Sequence, residues 1–159
     1  MPFDSARFRK VMGHIPTPVT VVTASGPDGP VGLTIGSFTS VSLDPPLIGF
    51  LPGKKSDSWP GVEAAGSFCV NVLAEDQGEL CWRFATELPD KFEGVEWEPT
   101  TLTGSPLLEG VAGHIDCTIH SVSEAGDHFW VLGLVQELQA THRPPMVFWS
   151  GKVGGVRPE

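Results

Sequence analysis

Tyrosine is absent, so all aromatic packing and stacking falls to 9 Phe and 5 Trp. Basic residues are scarce: 10 Lys and Arg face 19 Asp and Glu, a formal charge of −9. That balance argues against nucleic acid or an anionic membrane as the main partner, since both demand a positive surface. No run of about 18 apolar residues occurs, so no spanning helix is expected. The opening Met1-Pro2-Phe3-Asp4-Ser5-Ala6-Arg7 lacks the basic-then-apolar pattern of a leader. Cys69, Cys81 and Cys117 form no CxxC pair and sit in apolar contexts. Buried free thiols in a reducing compartment, and hence a cytoplasmic protein, are expected. No Gly-x-Ser-x-Gly elbow supports a hydrolase. Repeats and interdomain linkers are missing too.

What is present suits one mainly β domain spanning residues 1–159, with short helices. The chain's 19 Gly and 15 Pro imply many turns. Asp4 or Ser5 caps a first helix whose Phe8, Val11, Met12 and Ile15 share one face. Strands are expected at Val19–Ala24, Val31 to about Phe38, Leu47–Leu51, Phe68–Leu73, Val111–Ile119, His128–Val135 and Met146–Trp149. Two further helices are expected over Ser56–Ala65 and Glu75–Phe84. Asp90–Gly104 reads as loop. About six strands with two or three helices suggest a small antiparallel barrel.

The stretch from Gly32 to Pro46 is unusual. Thr34, Ser37, Thr39, Ser40 and Ser42 recur along an otherwise apolar run, and Gly32 and Gly36 leave the backbone open to close approach. A planar ligand with a polar edge needs such a surface. A Ser/Thr-rich edge strand facing water is the alternative. Lys54-Lys55-Ser56-Asp57-Ser58 precedes an expected helix start, where donors and positive charge favour an anion. Asp57 would repel a phosphate, so it is expected to cap the helix. On its own this loop reads better as a solvated basic turn. His128 follows a Gly-Asp turn and opens an apolar strand, which puts it at a strand mouth; a surface turn histidine hydrogen-bonded to Asp127 is the alternative. His114, Asp116 and His120 share one strand face but spread over about 20 Å, too far for one metal ion.

Several phrases, in order, resemble the short flavin reductases that serve two-component flavin monooxygenases. They are Phe8–Gly13 with Pro16–Thr23, Gly32–Thr34 with Ser37–Leu47, Phe68–Ala74, Phe84-Ala85 with Lys91-Phe92, and Gly126-Asp127-His128. The resemblance covers nearly the whole chain. It implies an FMN-binding split β-barrel of Greek-key-like antiparallel form, a homodimer, and reduction of FMN or FAD by NADH or NADPH. It places the flavin ring along Thr34, Ser37 and the Ser40-Val41-Ser42 turn. The phosphate then falls to Lys55 and Ser56, with Lys54 and Ser58 beside them. Phe84, Ala85, Lys91 and Phe92 would cover the ribityl-phosphate end, and His128 would position the nicotinamide. For Phe84 the plain stripe of a helix is an equal alternative.

Two departures fall where the resemblance puts the nicotinamide: Pro18 stands in place of a usual Gly, and Val153 in place of an aromatic. The expected activity is NAD(P)H-dependent flavin reduction feeding a partner monooxygenase, with no metal, nucleic acid or membrane involved. The alternatives are a split-barrel enzyme with tightly bound FMN acting on another substrate, and a non-catalytic flavin carrier.

Overall fold

The computed structural model describes residues 3–159; Met1 and Pro2, the start of the segment read above for a leader, lie outside them. In chain order the elements are α1 (Ser5–Met12), β1 (Thr17–Pro18), β2 (Thr20–Gly26), β3 (Gly29–Ile35), β4 (Thr39–Ser42) and β5 (Leu47–Phe50). There follow α2 (Trp59–Ala65), β6 (Ser67–Val72), α3 (Gly78–Ala85), β7 (Trp97–Pro99) and β8 (Pro106–Leu108). The chain ends with β9 (Gly113–Ala125), β10 (His128–Ala140), β11 (Met146–Trp149) and β12 (Lys152–Gly155). No helix among the described residues is long and apolar enough to cross a membrane.

The main sheet has seven strands in the order β3-β2-β6-β9-β10-β5-β4, all antiparallel. Its edges, β3 and β4, are joined by three residues, Gly36, Ser37 and Phe38. Seven flat strands would separate those edges by about 29 Å. The connection from Ile35 to Thr39 spans at most about 14 Å. The sheet therefore rolls until its edges almost meet, and the seam between β3 and β4 stays unpaired. The split in the barrel follows from chain length and strand order alone.

β-Branched residues make β2 suitable for burial on both faces, and Thr20 through Ala24 are all buried. Inside the barrel, Val22, Phe50, Phe68, Val70, Cys117 and Val131 pack together, closed at one end by Trp59 and Val62 of α2. Phe50 meets Phe68 edge to face at 5.2 Å between centroids. Outside, Val21, Leu73, Phe84, Leu108 and Met146 form a second apolar layer beneath α3 and the β7–β8 ribbon.

That ribbon corrects the loop expected over Asp90–Gly104. Asn71 anchors it: its amide donates to Pro106 O at 3.3 Å, and its Oδ1 accepts from Leu108 N at 2.8 Å. Asp116 adds a second anchor, accepting from Thr103 Oγ1 at 2.6 Å. The ribbon covers the outer face of β9, so His114 and Asp116 are buried rather than facing water.

Helix boundaries moved for local reasons. Asp4 does cap α1, its carboxylate accepting from Ala6 N at 2.9 Å. The helix over Ser56–Ala65 begins only at Trp59, because the Ser56 hydroxyl makes a turn with Ser58 N and Trp59 N. The helix over Glu75–Phe84 begins at Gly78, after a turn in which Gln77 Oε1 accepts from Ala74 N. The apolar face of α1 finds no core: Phe8, Val11, Met12 and Ile15 are each about half exposed or more.

Candidate active site at the barrel split

The split opens into a cavity of about 610 Å³. Of the residues named from sequence, Thr34, Ser37, Ser56, Phe84, Ala85, Lys91 and His128 line it together, and Asp57 does too. They arrive from β3, the β3–β4 link, the loop before α2, α3, the loop after α3, and the start of β10.

Backbone groups hold several of the polar side chains there. Ser37 ties the β3–β4 link to the end of β5, its Oγ accepting from Leu51 N at 2.9 Å. Thr34 Oγ1 donates to Cys81 O at 2.6 Å, which fixes α3 against β3. Ser56 Oγ accepts from two backbone N–H groups, so its own proton is left for an acceptor in the cavity. Lys91 reaches inward, donating to Gly32 O (3.2 Å), Ser58 Oγ (3.1 Å) and Phe84 O (3.3 Å). Its side chain is only 10% exposed, and Asp57 lies 3.8 Å from Nζ. Asp57 thus faces Lys91 instead of capping α2, a role that the Ser56 turn makes unnecessary.

His128 stands at the mouth. Its Nδ1 lies 2.7 Å from Asp127 Oδ1. That contact holds the Asp127 carboxyl below its ordinary range. An ionised carboxylate only accepts, so Nδ1 carries the shared proton and Nε2 is left to the cavity. Gly53 lies opposite: a Cβ there would come 3.9 Å from Nε2. The frame is rigid, with Lys54 N donating to Asp127 O and Phe129 N to Pro52 O, each at 2.9 Å.

Other residues named from sequence stand elsewhere. Ser40 and Val41 are exposed on the edge strand β4, with Ser42 beside them half-buried. Lys55 is exposed and outside the cavity. Lys54 is drawn to Glu124 at 3.1 Å and over the Phe129 ring at 5.5 Å. Phe92 is buried behind Phe84, edge to face at 5.0 Å. Gly32 serves the protein's own packing, since a Cβ there would meet Phe84 at 2.8 Å. Conversely, Leu33, Ile35, Leu51, Thr86 and Glu87 line the cavity without having been singled out. The first three carry only the ordinary signal of apolar strand residues, and Glu87 carries none.

A second, apolar slot of about 350 Å³ adjoins the cavity and shares Thr34, Ile35, Gly36 and Ala85 with it. Pro18, Trp82 and Phe148 form its far wall, so the first departure noted above is a wall residue. Val153 instead packs under α3, in the outer apolar layer.

Thiol chemistry has no place here. Burial pushes Cys117 up to about 12 and raises Cys69 and Cys81 as well. Among the described residues, no group of three His, Cys, Asp or Glu side chains converges to hold a metal.

Residues 12–157 match the family model described as a flavin reductase like domain. The chain is 51% identical over 154 residues to a flavin reductase of Pseudomonas putida, covering 96% of this chain and 90% of that protein. It is 46% identical over 159 residues to HsaB, the reductase subunit of a flavin-dependent monooxygenase of Mycobacterium tuberculosis, covering 98% and 84%. Its fold superposes with a TM-score of 0.93 on the Streptomyces globisporus NADH:FAD oxidoreductase SgcE6 solved with NAD and FAD fragments, at 38% identity over 98% and 94% of the two chains.

Proposed function

The chain belongs to the flavin reductase-like domain family, and from that premise we propose that it reduces FMN or FAD with NADH or NADPH and releases the product to a partner monooxygenase. The observation that carries this reading is the convergence of Ser56, Lys91, Thr34, Ser37 and His128 on one open cavity at the barrel split.

The cavity fits a flavin. Its volume is in the range of small-molecule sites. Leu33, Ile35, Leu51 and Phe84 supply apolar surface for a ring system. The Ser56 hydroxyl and the Lys91 ammonium supply a donor and a charge for phosphate. Lys91 is already ordered by three oxygens, so little entropy is lost when it meets an anion. Phe92 acts through Phe84, holding that ring against Gly32.

Bound flavin supplies an electrophilic N5 that accepts hydride from a dihydronicotinamide. The protein's part is to orient. His128, fixed by Asp127, presents Nε2 at the mouth and positions the nicotinamide; hydride transfer itself needs no protein acid. The apolar slot behind Thr34 and Gly36 extends the bed for stacked rings. Since flavin leaves as a product, its affinity is modest, well short of nanomolar.

The exposed face of α1, with Trp149 beside it, supports a homodimer: Trp149 Nε1 donates to His14 O at 3.1 Å, tying β11 to the end of α1. Light scattering reads this directly, as twice the chain mass. Three buried free thiols fit the cytoplasm. Anaerobic mixing of protein, flavin and NADH tests the activity: loss of the visible flavin absorbance, faster than in a protein-free control, is expected. Equal rates would overturn the proposal.

A further inference from the structure

The β9–β10 hairpin has a second cavity at its other end. His114 pairs with Gln139, and Gln139 lies eleven residues along β10 from His128. That is about 35 Å of strand. The second cavity, of about 800 Å³, is enclosed by the β7–β8 ribbon, the start of β9 and the end of β10. It shares no lining residue with the cavity at the split.

Its charges are unbalanced. Glu96 and Glu109 face each other across the ribbon, one step beyond the Trp97–Leu108 pair, with Glu109 N donating to Glu96 O at 3.1 Å. Like charges placed directly opposite weaken a β-ribbon. Glu96 across the ribbon raises Glu109 above its ordinary range, Glu98 adds to the effect, and Arg143 partly offsets it. Arg143 is the cation in the lining, and Asp76 already engages it at 3.4 Å.

Independently, His114 is 8% exposed, lines this cavity, and makes no side-chain hydrogen bond with any of the described residues. Its ring nitrogens are not sealed off, since no buried side-chain polar atom among the described residues lacks a partner, so they are open at the cavity for a ligand or water to complete their bonding. Trp97 adds an aromatic wall, held edge to face against Phe92 at 6.0 Å.

An anion would meet three carboxylates. A metal ion lacks three converging ligands among the described residues. A small organic cation with N–H donors satisfies the whole set, as its charge answers Glu96 and Glu109, a donor reaches the His114 ring, and its carbon chain lies on Trp97. The geometry points to a second ligand site, distinct from the one at the split, that takes an alkylammonium compound. Nothing in it depends on the flavin chemistry.

The test uses the full chain and two probes of equal size, n-butylammonium and neutral n-butanol, followed by amide and indole NMR shifts. The expected result is saturable shifts at His114, Gln139, Thr141 and the Trp97 indole with n-butylammonium but not with n-butanol. Glu109→Gln and, separately, Glu96→Gln should each weaken binding about fivefold. No saturable shift, equal shifts from n-butanol, or unchanged affinity in both variants would each overturn the proposal.

Discussion

The two ends of the β9–β10 hairpin are built on opposite plans. At the turn end, the polar groups named for ligand contact are held in place: Ser37 to Leu51, Thr34 to Cys81 and Lys91 to Gly32 and Phe84 through the backbone, and His128 to the Asp127 carboxylate. At the open end, Glu96 and Glu109 oppose each other and His114 has no partner among the described residues. The first arrangement is ordered before any ligand arrives, and it selects for shape. The second holds unsatisfied charge, and it selects for sign.

Mutation at the turn end should expose this preorganisation most strongly. His128→Ala should lower kcat/KM for the nicotinamide about 10- to 100-fold in steady-state assays, while flavin affinity in fluorescence titration changes little. Equal losses in both would mean that His128 supports the fold of the mouth rather than the hydride donor. Lys91→Met should cost about 1–3 kcal/mol by stranding the carbonyls of Gly32 and Phe84. Calorimetry should then show Tm falling by about 3–10 °C. Ser56→Ala should weaken FMN binding about fivefold, the loss of one donor to phosphate. Ser40→Ala, on the exposed edge strand, should leave that titration unchanged.

The open end should respond weakly and with the opposite sign. Glu96 holds the Glu109 carboxyl above its ordinary range. A raised acid stabilises the fold below the ordinary glutamate range, and that contribution is lost as pH rises through the raised value. At neutral pH the pair therefore opposes folding. Glu109→Gln should raise Tm slightly near pH 7, an advantage that disappears by about pH 4. A lower Tm near neutrality would mean that the pair is bound by something this account omits.

Much of the fold is legible from pattern. The strands over Val19–Ala24 and Val111–Ile119 and the Gly-Asp turn before His128 are all visible in residue types. The β7–β8 ribbon is not. Each of its strands has three residues, and its main anchor, Asn71, lies 35 residues from Pro106 and 37 from Leu108. The burial of His114 depends on that covering ribbon, so it is hidden with it.

The site divides in a similar way. The hydroxyls announce themselves by type and Lys91 only through the resemblance, but strand order decides which of them face the split. β4 pairs with β5 and turns Ser40 and Val41 outward, while Ser37 sits in the link and turns in. The Ser56 turn could not be separated from an Asp57 cap by sequence, because both residue types serve helix starts equally well.

The measurement that bears most directly on the central claim is steady-state oxidation of NADH and NADPH by the purified protein, with FMN or FAD varied. The account predicts oxidation only when flavin is added, saturating in flavin at concentrations well above that of the enzyme. Turnover without added flavin would contradict it by showing a tightly held group, and binding of flavin without any turnover would contradict it by leaving a carrier.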